Sequence, residues 1–167
     1  LIEMDKHAHK MIIAYCLGKY EEAAGREIDW EELIRSGIFE LLRRIVISDI
    51  KSPIYREIKK NKEVFAKLNE YIFTHLETKI DDITIKDELK DFLFNTSENI
   101  SLSQRILDAS HIYASYWEFQ IVKVTNPTSY QNSEIEMELL NDIHAFSDLI
   151  GVQKLMTRQT ISNFIDL

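Results

Sequence analysis

Asp108 and His111 are two side chains whose types and spacing could bind a divalent cation. They stand three residues apart, so on a helix they share one face. Carboxylate and imidazole are both usual ligands of divalent metals, and Glu40 and His7 could complete a set of four. Aspartate and histidine at this spacing are also common on ordinary helix surfaces, so the alternative is a pair that binds nothing. His7 and His9 cannot act together, because side chains two residues apart point about 200° apart around a helix.

A dense aromatic run lies a few residues further on, at Tyr113, Tyr116, Trp117 and Phe119. At helical spacing such a run usually belongs to a hydrophobic core, and a platform on which bases stack is the alternative. Near the other end of the chain, Cys16 falls in an apolar stretch. We therefore expect its thiol to be buried and inert.

Composition and charge restrict the class of protein to which the chain can belong. It has 167 residues, four glycines, two prolines and a hydrophobic share of 45%. This ordinary globular balance predicts one domain spanning residues 1–167. The formal net charge of −8 argues against a nucleic-acid partner, because no basic stripe is available to displace the counterions of the phosphate backbone.

The sequence carries no sign of export or of a membrane span. No apolar run approaches the ~18 residues of a transmembrane helix, and no signal peptide is recognisable. A single cysteine cannot form a disulfide within the chain, which fits the reducing cytoplasm. The chain begins at Leu1, without a methionine, and ends on Ile165-Asp166-Leu167, which suggests a fragment of a longer chain.

Apolar residues recur at helical spacing along nearly the whole chain and predict an all-α domain of about six to seven helices. The stripe of the first helix consists of Met4, Ala8, Met11, Ile12 and Tyr15. That of the second helix consists of Ile34, Ile38, Leu41 and Ile45. No strand pattern persists outside the loops.

Local signals predict where these helices start and stop. Asp29 and Ser101 each stand three residues before a glutamate or glutamine, which is the capping-box arrangement. The first helix should close near Gly25. Residues 54–78 should form one helix, or two with a break near Asn61. Gly151 should follow the sixth helix as its C′ residue.

Three segments resemble helices of HD-domain phosphohydrolases. In that family a small-apolar-apolar lead precedes the metal-binding His-Asp pair, and the helix ends in Asp-Ile-x-x-Pro. Residues 37–53, GIFELLRRIVISDIKSP, keep the lead and the ending. Residues 5–11, DKHAHKM, resemble the first-helix motif, with His7 in the place of the first metal ligand. Residues 106–114, ILDASHIYA, resemble the late-helix motif. The order and spacing suit the 5′-deoxyribonucleotidase branch, over about residues 3–150.

The resemblance implies an HD-domain-like bundle whose metal motif is degenerate. Glu40 and Leu41 stand where His and Asp belong, Arg44 where a glutamate often stands, and Ser110 where the last metal-binding Asp belongs. These positions and His7 should surround one pocket. Only His7 remains of the four ligands, and one imidazole cannot hold a divalent cation against water. We therefore expect no catalytic metal.

Three functions follow from the resemblance. The first is a non-catalytic module for docking, regulation or structural support, partnered by another domain or subunit. The second is a phosphohydrolase of nucleoside monophosphates. It would use Mn, Co, Zn or Mg, either with a different alignment or with a displaced site of His7, Glu40, Asp108 and His111, and Asp49 would be catalytic. The third is a nucleotide or phosphate sensor. There Arg44, with Asp49 nearby, would bind a small phosphorylated ligand in place of the metal.

Overall fold

The computed structural model describes residues 3–95, 100–127 and 131–165, with only the backbone considered at residues 3, 52, 53, 56 and 158–165. These residues contain eight helices and no strand. The helices are α1 (Glu3–Ala23), α2 (Trp30–Val46), α3 (Ser52–Lys60), α4 (Lys62–Glu77), α5 (Ile83–Phe94), α6 (Leu102–Thr125), α7 (Asn132–His144) and α8 (Ile150–Ile165). The all-α prediction is confirmed, with eight helices in place of about six to seven.

The chain divides into two compact units. The first unit is built from Leu1–Ile34 and Ile100–Leu167, and the second from Arg35–Asn99. The first unit is therefore discontinuous in sequence, whereas the second is one continuous segment. That the whole chain acts as a single domain stays a prediction.

In the first unit, α1 packs against α6 and α8, and α7 packs against α6. Its core contains fully buried residues from each of these contacts. They include Ala14, Leu17, Ile106, Leu107, Leu149 and Val152, with Leu139 and Ile143 from α7. Tyr116 and Phe119 belong to the same core and Tyr113 packs against it, so three of the four residues of the aromatic run on α6 serve packing, as its helical spacing indicated.

In the second unit, α4 packs against both α3 and α5. Its core consists of Phe39, Ile47, Ile72, Leu76, Leu89 and Leu93. Phe39 of α2 contacts Phe92 of α5, with ring centroids 5.6 Å apart. The buried Asn69 side chain donates to the carbonyl oxygen of Leu93 at 2.7 Å, which holds the end of α5 against α4.

Several predicted helix ends are confirmed because they depend on bonds between neighbouring residues. The side chain of Asp29 accepts from the backbone N–H of Glu32 at 2.8 Å, and Ser101 caps α6 by accepting from Gln104 N–H at 3.0 Å. Asn61 separates α3 from α4 and caps α4 through two backbone N–H groups. These side chains satisfy N–H groups that have no partner within the helix.

Gly25 ends α1 as predicted. It adopts a φ of 84°, in the left-handed region that suits glycine. Its N–H donates to Glu22 O at 2.9 Å, and Arg26 N–H donates to Glu21 O at 3.0 Å. This pair of bonds is a Schellman motif, which satisfies two of the last carbonyl groups of α1.

The prediction for Gly151 is wrong. The preceding helix, α7, ends at His144, and Gly151 lies within the first turn of α8. A β-carbon at position 151 would lie 2.8 Å from Leu17 Cδ2 and 3.2 Å from Leu17 Cα. The glycine is thus required by the close approach of α8 to α1, not by a left-handed helix end.

The apolar stripes of α1 and α2 face outward. Ile34, Ile38 and Ile45 of α2 are 52, 51 and 52% exposed, and Leu41 between them is half-buried. On α1 the residues Met4, Ala8, Ile12 and Tyr15 are likewise exposed, whereas Met11 of the same stripe is half-buried and packs against the core. Both helices are confirmed, but other residues supply their buried sides, such as Ala14 and Leu17 on α1 and Phe39 on α2. We call Ile34, Ile38, Leu41 and Ile45 the α2 isoleucine stripe.

Candidate functional site

The candidate metal ligands of the first unit lie on α1 and α6. Asp108 is half-buried, and its Oδ1 accepts from Gln104 Nε2 at 3.0 Å. His111, one turn further along α6, is exposed. His7 lies near the start of α1 and is half-buried. Asp108 is therefore hydrogen-bonded to a residue of its own helix. The helix face that Asp108 shares with His111 is exposed to solvent at the His111 end.

His7 lies on a helix face that also carries a buried cation. Lys10, one turn later on α1, is only 5% exposed. Burial of His7 and the charge of Lys10 together lower the pKa of the His7 imidazole below 6.5, with burial as the larger cause. The imidazole is therefore neutral near pH 7, which is the form that binds metals, although the nearby ammonium group opposes a divalent cation.

The Ser110 hydroxyl is engaged within its own helix. It is fully buried on α6, and its hydroxyl donates to the carbonyl oxygen of Leu107 at 2.7 Å. A serine that bonds back to the preceding turn is a common way to satisfy a hydroxyl inside a helical core. At the position where the resemblance expects a metal-binding carboxylate, the structure has a neutral side chain bonded to its own helix.

The predicted residues of the second unit lie along α2 and in the turn after it. Glu40 forms an ion pair with Arg43, with Nη2 and Oε1 3.8 Å apart. Arg44 donates from Nη1 to Ile50 O at 3.0 Å. Asp49 is exposed in the turn between α2 and α3. The hydrogen bond from Arg44 thus stabilises this turn, and Asp49 directly precedes Ile50, whose carbonyl group accepts that bond.

Tyr55 on α3 lies among the cations of this region. The Arg43 guanidinium lies 5.7 Å from the Tyr55 ring centroid and 5.3 Å from that of Phe92, and the Lys59 ammonium lies 5.7 Å from the Tyr55 centroid. The Tyr55 hydroxyl is buried and has no hydrogen-bond partner among the described residues. Burial raises the pKa of Tyr55, against the opposing effect of Arg43 and Arg44. Cation–π contacts of this kind stabilise a cluster without requiring a ligand.

The predicted site residues come from both units, so their convergence on one pocket stays a prediction. Within the part of the chain that the structure describes, no group of three or more His, Cys, Asp or Glu side chains is arranged to hold a metal ion. The displaced site of His7, Glu40, Asp108 and His111 remains a hypothesis, which analysis of bound metal would test.

No described helix is long and apolar enough to cross a membrane.

Cys16 and Trp117 are exposed, whereas the apolar and aromatic residues around them in the sequence predicted that they would be buried. Cys16 is exposed, because it lies on the outward side of α1, so the prediction of a buried thiol is wrong. Trp117 is also exposed, and its indole meets the His9 ring edge-on with centroids 4.5 Å apart. Only Trp117 of the aromatic run is largely accessible, which leaves no row of rings on which successive bases could stack.

A buried carboxylate that the sequence did not reveal lies at the end of α1. Glu21 is 0% exposed, and its Oε2 lies 3.0 Å from Arg26 Nη1. Its Oε1 accepts from the backbone N–H of Gly151 at 3.2 Å. The carboxylate therefore satisfies a free N–H in the first turn of α8, where a negative charge is also favoured by the helix dipole.

A second arginine extends this network to the turn between α7 and α8. Arg105 on α6 donates from Nε to Asp148 Oδ2 at 2.9 Å, bonds the other carboxylate oxygen through Nη2, and donates to Ala145 O at 2.9 Å. Arg26 also donates to the carbonyl oxygen of Asp148, at 3.3 Å. Arg105 lowers the pKa of Asp148 through these hydrogen bonds. The network connects α1, α6 and α8 and is structural.

Comparisons with protein-family models, with curated proteins and with solved structures found no match to this chain. The HD-domain resemblance therefore stays a prediction from its three motifs.

Proposed function

We propose that the chain is a degenerate HD-domain-like module without catalytic activity, which docks on or supports another domain or subunit. One observation carries the proposal: the side chains at the altered metal positions are engaged within the fold. Ser110 is bonded to Leu107 O, and Arg44 to Ile50 O. Leu41 has no atom that could bind a metal. We propose the cytoplasm as its location, since a lone exposed thiol such as Cys16 stays reduced there.

The loss of ligands affects separate helices, which makes compensation difficult. A divalent cation needs several carboxylate or imidazole ligands to displace its water molecules. Replacing one ligand can be offset by a neighbour, but Leu41 and Arg44 on α2 and Ser110 on α6 would have to be offset together. Arg44 would in addition bring a permanent positive charge to the site.

The α2 isoleucine stripe supports the docking part of the proposal. Three isoleucines, each about half exposed, lie on one side of a single helix. Burying a large aliphatic side chain is worth about 1.5–3 kcal/mol, so this side of α2 gains stability when a partner covers it. Contiguous exposed apolar surface of this kind marks interaction sites. We propose that the apolar residues near the end of the chain, Ile161, Phe164, Ile165 and Leu167, contribute to such docking; their side chains lie outside the described residues.

Metal analysis combined with an activity assay tests the absence of catalysis. The purified chain is incubated with Mn, Co, Zn or Mg, desalted, and analysed for metal, and then assayed on deoxynucleoside monophosphates. We expect well under one metal ion per chain and no hydrolysis. Stoichiometric metal that is lost in Asp108→Asn, together with hydrolysis, would establish the phosphohydrolase alternative. A matched control is Asp142→Asn on α7, outside the candidate set.

Thermal unfolding with and without ligand tests the sensor alternative. We expect inorganic phosphate and deoxynucleoside monophosphates to leave the unfolding midpoint unchanged, because Arg44 is bonded to a backbone carbonyl group. A ligand that binds the folded state raises the midpoint. A rise that disappears in Arg44→Gln but persists in Arg35→Gln would support the sensor and contradict the proposal.

The resemblance itself has a separate test. The combined change Glu40→His, Leu41→Asp, Arg44→Glu and Ser110→Asp restores the ligand types of the family. A carboxylate at the fully buried position 110 should strongly destabilise the fold without metal, because a buried charge needs a partner. If the alignment is correct, Mn or Co should restore stability, since metal binding is linked to folding. A variant that stays equally unstable with and without metal would show that the alignment is wrong.

A further inference from the structure

We draw no further inference here: the strongest candidate, the exposed apolar face that Trp117, Ile121 and Val124 form near the end of α6, is an unpartnered surface, and nothing in the part of the chain that the structure describes shows what covers it.

Discussion

Replacing Gly151 with alanine tests the close approach of α8 to α1. Within a helix this change normally stabilises by about 1 kcal/mol, because alanine has the higher helix propensity. Here the added β-carbon would lie 2.8 Å from Leu17 Cδ2, 3.2 Å from Leu17 Cα and 3.3 Å from Tyr20 Cβ. The sign of the effect therefore distinguishes local propensity from tertiary packing.

The expected sign is destabilising because one of the close atoms belongs to the backbone. Leu17 can turn its side chain to move Cδ2, but its Cα moves only if α1 and α8 separate. Leu17 is also fully buried, with little space around it. Overpacking of this kind costs about 1–3 kcal/mol, so after the gain in propensity of about 1 kcal/mol we expect a net loss of up to about 2 kcal/mol.

The assay is urea unfolding of the wild type, Gly151→Ala, Leu17→Ala and the double variant. Leu17→Ala alone should cost about 2–5 kcal/mol as a large-to-small change in the core. If the two residues press on each other, the double variant should lose less than the sum of the single losses, with a coupling of at least about 0.5 kcal/mol. A more stable Gly151→Ala, or strictly additive losses, would refute the close approach as the reason for glycine.

The remaining predictions concern single side chains. Glu21→Gln removes the buried charge beside the partly exposed Arg26 and should lower the free energy of unfolding by about 1–3 kcal/mol, measured by urea unfolding. Ser101→Ala removes the cap of α6 and should cost about 0.5–2 kcal/mol in the same assay, whereas an unchanged midpoint would mean that water replaces the hydroxyl. The pKa of His7 is lowered below its unfolded value of 6.5, so the unfolded chain binds more protons below that pH and stability should fall as pH decreases through about 6.5. His7→Asn should reduce this dependence, and an identical pH profile in the variant would contradict the assignment.

The sequence predicted features that depend on near neighbours. Asp29, Asn61 and Ser101 cap helices through backbone N–H groups two or three residues away, and Gly25 closes α1 through bonds within one turn. Such interactions are fixed by the local order of residue types. All-α architecture follows in the same way, because the helical period is visible in any short window.

The features that sequence reasoning missed depend on contacts between distant residues. A glycine near a helix end has the same local signature whether it supplies a left-handed turn or a close helix contact, and Gly151 proved to be the second kind. A helical stripe shows that apolar residues share a face but not whether that face is buried, so the outward side of Cys16 was not predictable. Glu21 and Gly151 are 130 positions apart, and no spacing signal connects them.

The discontinuity of the first unit has a consequence for the order of folding during synthesis. The second unit lies within residues 35–99 and can form its core as soon as that segment has left the ribosome. Helix α1 emerges earlier, but its partners α6 and α8 follow only after that segment. The face of α1 that is buried in the folded unit therefore has nothing to pack against until they are synthesised. Because elongation proceeds at about 5–20 residues per second, α1 spends several seconds without them. The middle of the chain should therefore gain protection from proteolysis before its beginning, in reverse of the order in which they are made.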